Sequence, residues 1–382
     1  MHLVHSQQRR GAEVFAAQLA SCMEERGYFN NGLCSLYGDD DNLPINGLPV
    51  FPLDGHSGIF SKTPLNPQLV SRLCRTLRKF QPHVLVAHGS DTLKYAGAAS
   101  LFHRKVRSVY RNIGIASHWA SSASKMKLNR LFLSQMDAVV SVSEYTRRDF
   151  IGVYHIPEER ITYIPNGVDT SQFCTGEELS IRSRVRHELG IGLEDLVLIS
   201  VGNLSDEKGH RALLPIMRDL NNAGLADHLL LLGDGPLRQE LESQARELGI
   251  GNQVHFLGRR SDVERILAAT DIFVLPSKSE GMPAVLIEAG LSGLPSVAFN
   301  VGGVGEVIED QVTGMLVAHE DCQQMRKRLA ALCQDTPRRV EMGEAARRRC
   351  LDQFSMQKVA SEYETLFLKM LQDSTGEMDE RA

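Results

Sequence analysis

Short apolar runs alternate along this chain with longer stretches in which apolar residues recur every three or four positions. Runs of the first kind read as buried strands, stretches of the second as helices with one apolar side. Residues 3–5 form a first strand, and a helix follows with Val14, Phe15, Leu19 and Met23 on one side. Residues 83–87 predict a strand ended by His88, Gly89, Ser90 and Asp91, and residues 92–103 a helix. Further strands are expected over 107–110, 137–141 and 161–164, with a helix starting at Ser143, Glu144 and Tyr145. The second half repeats the theme, with strands over 196–202, 229–232, 253–257, 271–275, 295–299 and 313–317. Helices are expected over 181–189, 262–269, 323–333, 338–353 and 356–371, followed by a frayed tail over 373–382. Regular alternation of strand and helix predicts an α/β protein with parallel, helix-covered sheets.

A length of 382 residues suits two domains rather than one. The stretch from Asn166, Gly167, Val168 and Asp169 to about Gly192 reads as the connection, giving domains over 1–170 and 171–354. A net charge of −5 argues against a dedicated nucleic-acid binder, so no nucleic-acid partner is expected. No apolar run approaches the roughly 18 residues of a membrane span, and the first residues are too short and polar for a signal peptide. Seven cysteines are scattered without a CxxC pair and read as reduced thiols. A cytoplasmic enzyme is the expectation. Charge is locally uneven: between 101 and 133 there are seven Lys or Arg and no Asp or Glu. Arg104, Lys105, Arg107, Arg111, Lys125, Lys127 and Arg130 make either an ordinary solvated basic face or a surface for an anionic membrane or acceptor. Phe102, Trp119, Leu128, Leu131 and Phe132 lie among them, as membrane contacts or as core.

The chemistry concentrates in residues 276–290. They follow a buried strand and open a helix near Pro283, a residue suited to the first helical position. Glu280 falls in the strand-to-helix loop and Glu288 in the helix, with seven residues between them. The carboxyl end of a parallel strand is where α/β sheets bind ligands, and helix N-termini offer free N–H groups. Two carboxylates there can accept hydrogen bonds from several sugar or ribose hydroxyls. Lys208, in the loop after the 196–202 strand, is a point charge suited to phosphate. Asn203 can add one hydrogen bond. His88, Arg111 and Asn112 fall at predicted strand ends, where a guanidinium can pair with a diphosphate in bidentate fashion, and His118 follows shortly. Gly11 opens the first helix after Arg10. An ordinary tight turn would use a glycine there, and so would a backbone approaching phosphate. The acid run Asp39, Asp40 and Asp41 reads as solvated.

The ordered set Gly11-Ala12-Glu13, Pro165-Asn166-Gly167-Val168-Asp169, Glu207-Lys208-Gly209, Gly233-Asp234-Gly235-Pro236, Phe256-Leu257-Gly258, Ser279-Glu280-Gly281-Met282-Pro283 with Glu288, and Gly302-Gly303-Val304-Gly305-Glu306 resembles retaining glycosyltransferases of family 4. The resemblance runs along almost the whole chain and is densest over 197–317. It implies a GT-B fold, two Rossmann-like parallel-sheet domains facing across a cleft, with a final helix over about 355–372 crossing back to the first domain. It implies transfer of a sugar from a nucleotide-sugar donor, most often a UDP-sugar, to a carbohydrate or lipid-linked acceptor, with no metal or other cofactor. A role in assembling envelope polysaccharide or glycolipid fits. Lys208 and the N–H groups of Gly281, Met282, Pro283's neighbour Ala284 and Gly11 would handle phosphate and sugar oxygens. Gly233 belongs to the turn beside the nucleotide, and Gly258 and Arg259 would flank the base. Glu280 would orient the sugar and Glu288 hold the ribose. Three departures stand out, the first being Arg10 in place of the glycine that precedes Gly11 in the family's loop. Asn203 replaces a common arginine, and no histidine occupies 110–112. Arg111 is the expected substitute cation, and His118 the nearest histidine. Rival readings are a GT-B epimerase or phosphorylase and a non-catalytic nucleotide-sugar binder. A nicotinamide oxidoreductase is disfavoured, because no GxGxxG follows a first strand.

Overall fold

The computed structural model describes residues 1–38, 43, 47–55, 65–120, 122–173 and 178–379, with side chains from 373 onward left aside. The acid run at 39–41 lies outside the described residues. The chain divides into two compact units, Met1–Val168 with Met356–Ala382, and Asp169–Ser355.

The first unit contains β1 (His2–Val4), α1 (Gly11–Glu25), β2 (Leu33–Ser35), β3 (Val50–Pro52), α2 (Pro67–Phe80), β4 (Val84–His88) and α3 (Ser90–Ser100). It continues with β5 (Arg107–Asn112), α4 (Ala116–Trp119), α5 (Ala123–Leu133), β6 (Ala138–Ser141), α6 (Glu144–Tyr154) and β7 (Ile161–Tyr163). The second unit runs α7 (Glu178–Leu189), β8 (Val197–Val201), α8 (Leu213–Asn222), β9 (His228–Leu232), α9 (Arg238–Glu247), β10 (Val254–Gly258), α10 (Val263–Ala268) and β11 (Ile272–Leu275). It ends with α11 (Ala284–Leu291), β12 (Ser296–Phe299), α12 (Val304–Val307), β13 (Gly314–Val317), α13 (Cys322–Gln334) and α14 (Thr336–Phe354). The last helix, α15 (Met356–Asp379), belongs to the first unit and extends past residue 371, where the sequence suggested fraying.

Each unit is built on one wholly parallel sheet. The first has strand order β3-β2-β1-β4-β5-β6-β7 and the second β10-β9-β8-β11-β12-β13. Both orders reverse direction once, between β1 and β4 and between β8 and β11. Strands buried on both faces need apolar side chains on both, which explains the short continuous runs. In the first unit α1 and α15 cover one face: Phe15, Leu19 and Met23 meet Val84, Val86, Val109, Val359, Tyr363 and Phe367. The Arg26 guanidinium pairs with Glu364 at 2.9 Å beside them. The other face carries a larger core in which Leu69, Leu73 and Leu77 of α2 pack with Tyr95, Tyr110, Phe132 and Phe150. α3 and α5 approach so closely that a Cβ at Gly97 would stand 2.8 Å from the Cβ of Phe132.

In the second unit Arg186 acts as a clasp. Its side chain is wholly buried and donates to the carbonyls of Ala269, Gly192, Leu193 and Asp195 and to the Asp271 carboxylate at 2.9 Å. α7 is thereby tied to the start of β8 and to β11. No described helix is long and apolar enough to cross a membrane.

Candidate active site

The order of the second sheet reverses between β8 and β11, so the loops leaving these adjacent strands diverge and open a crevice at their carboxyl ends. Open α/β sheets take ligands at such a point. The β8 loop turns through a 3-10 helix, Asp206–Lys208, and ends at Gly209 in the left-handed region, φ +68. The β11 loop carries Glu280. Lys208 Nζ donates to Glu280 Oε1 at 2.7 Å, with the Glu280 side chain 9% exposed and that of Lys208 26%. A carboxylate so nearly buried needs such a cation. The pair leaves Glu280 Oε2 and two Lys208 N–H bonds for other partners.

The two loops are laced together. Lys278 N donates to Glu207 O at 2.8 Å, and the Lys278 ammonium reaches Asp206 at 2.8 Å. Arg211 holds the other Asp206 oxygen at 2.7 Å. Gly209 fits directly against the Pro276 carbonyl, which a Cβ would meet at 2.0 Å. A third wall comes from the loop after β12. Gly302 has φ +54, and a Cβ there would lie 1.7 Å from the carbonyl oxygen of Glu280, so no other residue fits without moving that backbone. His210, directly after Gly209, is 1% exposed. Burial, and then the neighbouring Lys208 charge, lower its pKa to about 4, so the imidazole is neutral under the loop at neutral pH.

Glu288 lies in α11, half-buried. The helix begins at Ala284 with Pro283 as its N-cap, one position later than the sequence suggested, because Pro283 keeps an extended backbone at φ −76, ψ 110. Met282 and Pro283 are buried, while Gly281 and Ala284 are partly open. Asn203 and Arg259 are exposed. Gly233 and Gly258 sit back to back, Gly233 N donating to Gly258 O at 2.9 Å. Sequence reasoning passed over Arg238. Its guanidinium donates to Phe256 O at 3.2 Å, and its Nη1 lies 3.4 Å from where a Gly258 Cβ would be. The one available signal was a cation two residues after the Gly-Asp-Gly-Pro turn. Gly302 was read as part of a motif but not as a wall of the site.

The first unit corrects part of the sequence reading. His88, Arg111 and Asn112 do not stand on an open edge; they are 3%, 1% and 0% exposed. β5 runs on through Asn112, two residues further than expected, so strand alternation turns Arg111 and Asn112 into the layers on opposite faces. The Arg111 guanidinium carbon lies over the Phe15 ring, 3.6 Å from its centroid, and the side chain donates to the Asn166 side-chain oxygen. His88 Nε2 meets His2 Nδ1 at 3.1 Å, and burial holds the His88 pKa well below the usual histidine value. His118 is exposed on α4. Gly11 is exposed, has no positive φ, and a Cβ would meet nothing within 4 Å, so the fold does not require a glycine there. Among the described residues no group of three or more His, Cys, Asp and Glu is placed to hold a metal ion.

Two parallel-sheet α/β units, the second with a lysine–glutamate ion pair at its strand-order reversal, fit the GT-B fold. Family comparison agrees along successive parts of the chain: Glycosyltransferase Family 4 matches residues 9–172 and glycosyl transferases group 1 matches residues 182–349. The chain belongs to the group 1 glycosyltransferases. It is 29% identical over 373 residues to the N-acetyl-alpha-D-glucosaminyl L-malate synthase of Bacillus anthracis, covering 95% of each chain. It is 29% identical over 220 residues to a GDP-mannose-dependent alpha-(1-6)-phosphatidylinositol monomannoside mannosyltransferase of Mycobacterium tuberculosis, 55% of this chain and 56% of that one. The chain spans about half the length of several curated relatives that it matches, 46% in one and 48% in another. Among solved structures, Anabaena HepE in complex with UDP and glucose aligns with a TM-score of 0.83 at 24% identity, over 96% of this chain and 98% of that one.

Proposed function

We propose that the second unit binds a nucleoside-diphosphate sugar and that the sugar passes to an acceptor hydroxyl with its anomeric configuration kept. The observation that carries this reading is the Lys208–Glu280 pair, 2.7 Å apart where β8 and β11 diverge. Lys208 faces the diphosphate, whose charge grows as the glycosidic bond breaks, and a fixed cation there lowers the barrier. Glu280 accepts sugar hydroxyls and orients the reacting carbon. Glu288 takes the ribose hydroxyls, and Gly258, Arg259 and Arg238 flank the base. Asn203, Gly233 and the α11 N-terminus from Gly281 to Ala284 complete the donor side. No carboxylate nucleophile is assigned; the acceptor attacks from the leaving-group face, and the departing phosphate oxygen takes its proton. Gly11, in the first unit, is not given a role in transfer. Arg111 and His118 are not given a role in transfer.

A UDP-sugar is the donor we favour, in keeping with the UDP and glucose in HepE; the mannosyltransferase relative is named for GDP-mannose. The acceptor we propose is a carbohydrate or lipid-linked hydroxyl of polysaccharide or glycolipid assembly, with transfer on the cytoplasmic side. Thermal shift with UDP, GDP and their sugars tests the donor, because a ligand at 100 times its Kd stabilises by about 2.7 kcal/mol. A rise with UDP and UDP-sugars supports the proposal, and a rise confined to GDP compounds overturns its donor. Glu280→Gln is expected to cut turnover by at least about a hundredfold while leaving the melting temperature within a few degrees. Near-normal transfer by that variant would remove Glu280 from its assigned role.

A further inference from the structure

The amino ends of β8, β9 and β10, at the strand ends opposite the crevice, hold a cluster that the donor site does not use. His228 opens β9, and His255 is the second residue of the edge strand β10. The parallel registers pair Val197 with His228 and His255 with Leu230. Strand alternation therefore puts both imidazoles on one face, while Leu229, Leu231 and Val254 turn to the core on the other. His228 Nδ1 and His255 Nε2 stand 3.0 Å apart, with ring centroids at 5.0 Å and planes inclined by 55°. The other His228 nitrogen, Nε2, meets Asp195 Oδ2 at 3.2 Å. That oxygen also accepts from Gly192 N at 2.7 Å, and buried Arg186 fixes the same loop through the carbonyls of Gly192, Leu193 and Asp195. Asp195 thus keeps the His228 proton on Nε2 and leaves the Nδ1 lone pair toward His255. Solvent reaches the cluster: the His228 side chain is 18% exposed and that of Asp195 37%. Gln253, two residues before His255, has a buried Oε1 with no hydrogen-bond partner among the described residues.

We propose that His228 Nδ1 and His255 Nε2 bind a divalent transition metal of the zinc class, with Asp195 as the carboxylate behind His228. Two imidazoles sharing a metal at about 2.0–2.1 Å place their nitrogens roughly 2.8–3.4 Å apart for bond angles between square and tetrahedral. The separation of 3.0 Å falls inside that range. A carboxylate on the far nitrogen of a ligating histidine fixes its tautomer and raises its basicity. The metal takes the place of the hydrogen between the two rings. His255 then carries its proton on Nδ1, so the neutral rings lose none in net. Water completes the coordination, and the Gln253 amide oxygen is a candidate third ligand. The His2–His88 pair, at 3.1 Å, offers no such site, because both rings are buried and the Arg111 charge lies near them. Bound at His228 and His255, the metal ties edge strand β10 to β9 and, through Asp195, to the approach to β8. The inference rests on this cluster alone and not on the assignment of the transfer site.

Equilibrium dialysis of the full chain against zinc chloride tests it. The wild type should take up one zinc that His255→Gln holds at least about a hundredfold more weakly. Asp195→Asn should lower the affinity about ten- to a hundredfold, the usual effect of removing the carboxylate behind a ligating histidine. His255 is partly exposed on an edge strand, so its variant should keep its metal-free melting temperature within a few degrees. Side-chain nitrogen resonances of the wild type give a readout that needs no variant: two of the thirteen imidazoles should shift on adding zinc. Cobalt(II) bound in place of zinc should show no sulfur charge-transfer absorption. The UDP-induced thermal shift should be the same with and without zinc, which keeps a failure here separate from a failure of the donor assignment. No zinc uptake by the wild type, equal uptake by His255→Gln, or sulfur absorption with cobalt would overturn the proposal and leave Asp195, His228 and His255 as a hydrogen-bonded chain only.

Discussion

Lys208 and Glu280 hold each other across two loops that are more than seventy residues apart in sequence. Removing the cation exposes two consequences at once: a diphosphate loses a charge-assisted partner, and a nearly buried carboxylate loses its counter-ion. Lys208→Ala should weaken UDP binding by roughly ten- to a hundredfold by calorimetry, the range of a hydrogen bond to a charged group. An unchanged Kd would take Lys208 out of the donor site. At this scale the sequence was legible where a motif fixed both residue and neighbour, as with Glu280. It misled at Arg111, where the side chain's direction depends on whether the strand stops at Tyr110 or runs through Asn112. It was silent at Arg238, whose partner is the backbone oxygen of Phe256, and a carbonyl leaves no trace in composition.

Among elements, the active loops are positioned by what glycines permit. Gly209 accepts the Pro276 carbonyl and Gly302 accepts that of Glu280, both with positive φ. Gly302→Ala would drive a Cβ into the Glu280 backbone and add strain at φ +54. A stability loss of about 1–3 kcal/mol is expected, with a larger proportional loss of turnover because the displaced group is Glu280 itself. Comparing melting temperature and kcat for that variant checks both parts; full activity would show that the loop position is not required. Most long elements could be read from periodicity. The strands β2 and β3 have three residues each, too few for any pattern to stand out. α2 was passed over although Asn66 caps it, Pro67 starts it, and Leu69, Leu73 and Leu77 share one side. α5 was seen only as a run of charge, since its apolar residues face both the core and outward.

For the molecule as a whole, acid is the condition that the buried histidines oppose. Burial lowers the pKa of His2 to about 3 and of His210 to about 4, and it lowers those of His88 and His255 as well. A histidine with a folded pKa below its unfolded value of about 6.5 binds its proton first in the unfolded chain. Stability is therefore full above about 6.5 and is lost as pH falls toward the folded values. His210 alone should cost on the order of 2 kcal/mol between about pH 7 and pH 5. Melting temperatures across that window should fall less steeply for His210→Gln than for the wild type, and parallel slopes would show that His210 is not buried neutral. The doubled architecture was visible in the two series of short apolar runs. The burial of these histidines was not, because a histidine at a strand end looks the same in sequence whether or not a helix covers it.

α15 gives the first unit a history as well as a shape. Tyr363 and Phe367 close the face on which Phe15, Leu19, Val84 and Val86 lie, yet the whole second unit is encoded between them and β7. On a ribosome adding about 5–20 residues per second, that face waits some 10–40 seconds after β7 has been made. The second unit, whose residues are continuous, emerges and can fold during that interval. A segment translated after the second unit thus shields an apolar surface made before it from chaperones and from other nascent chains.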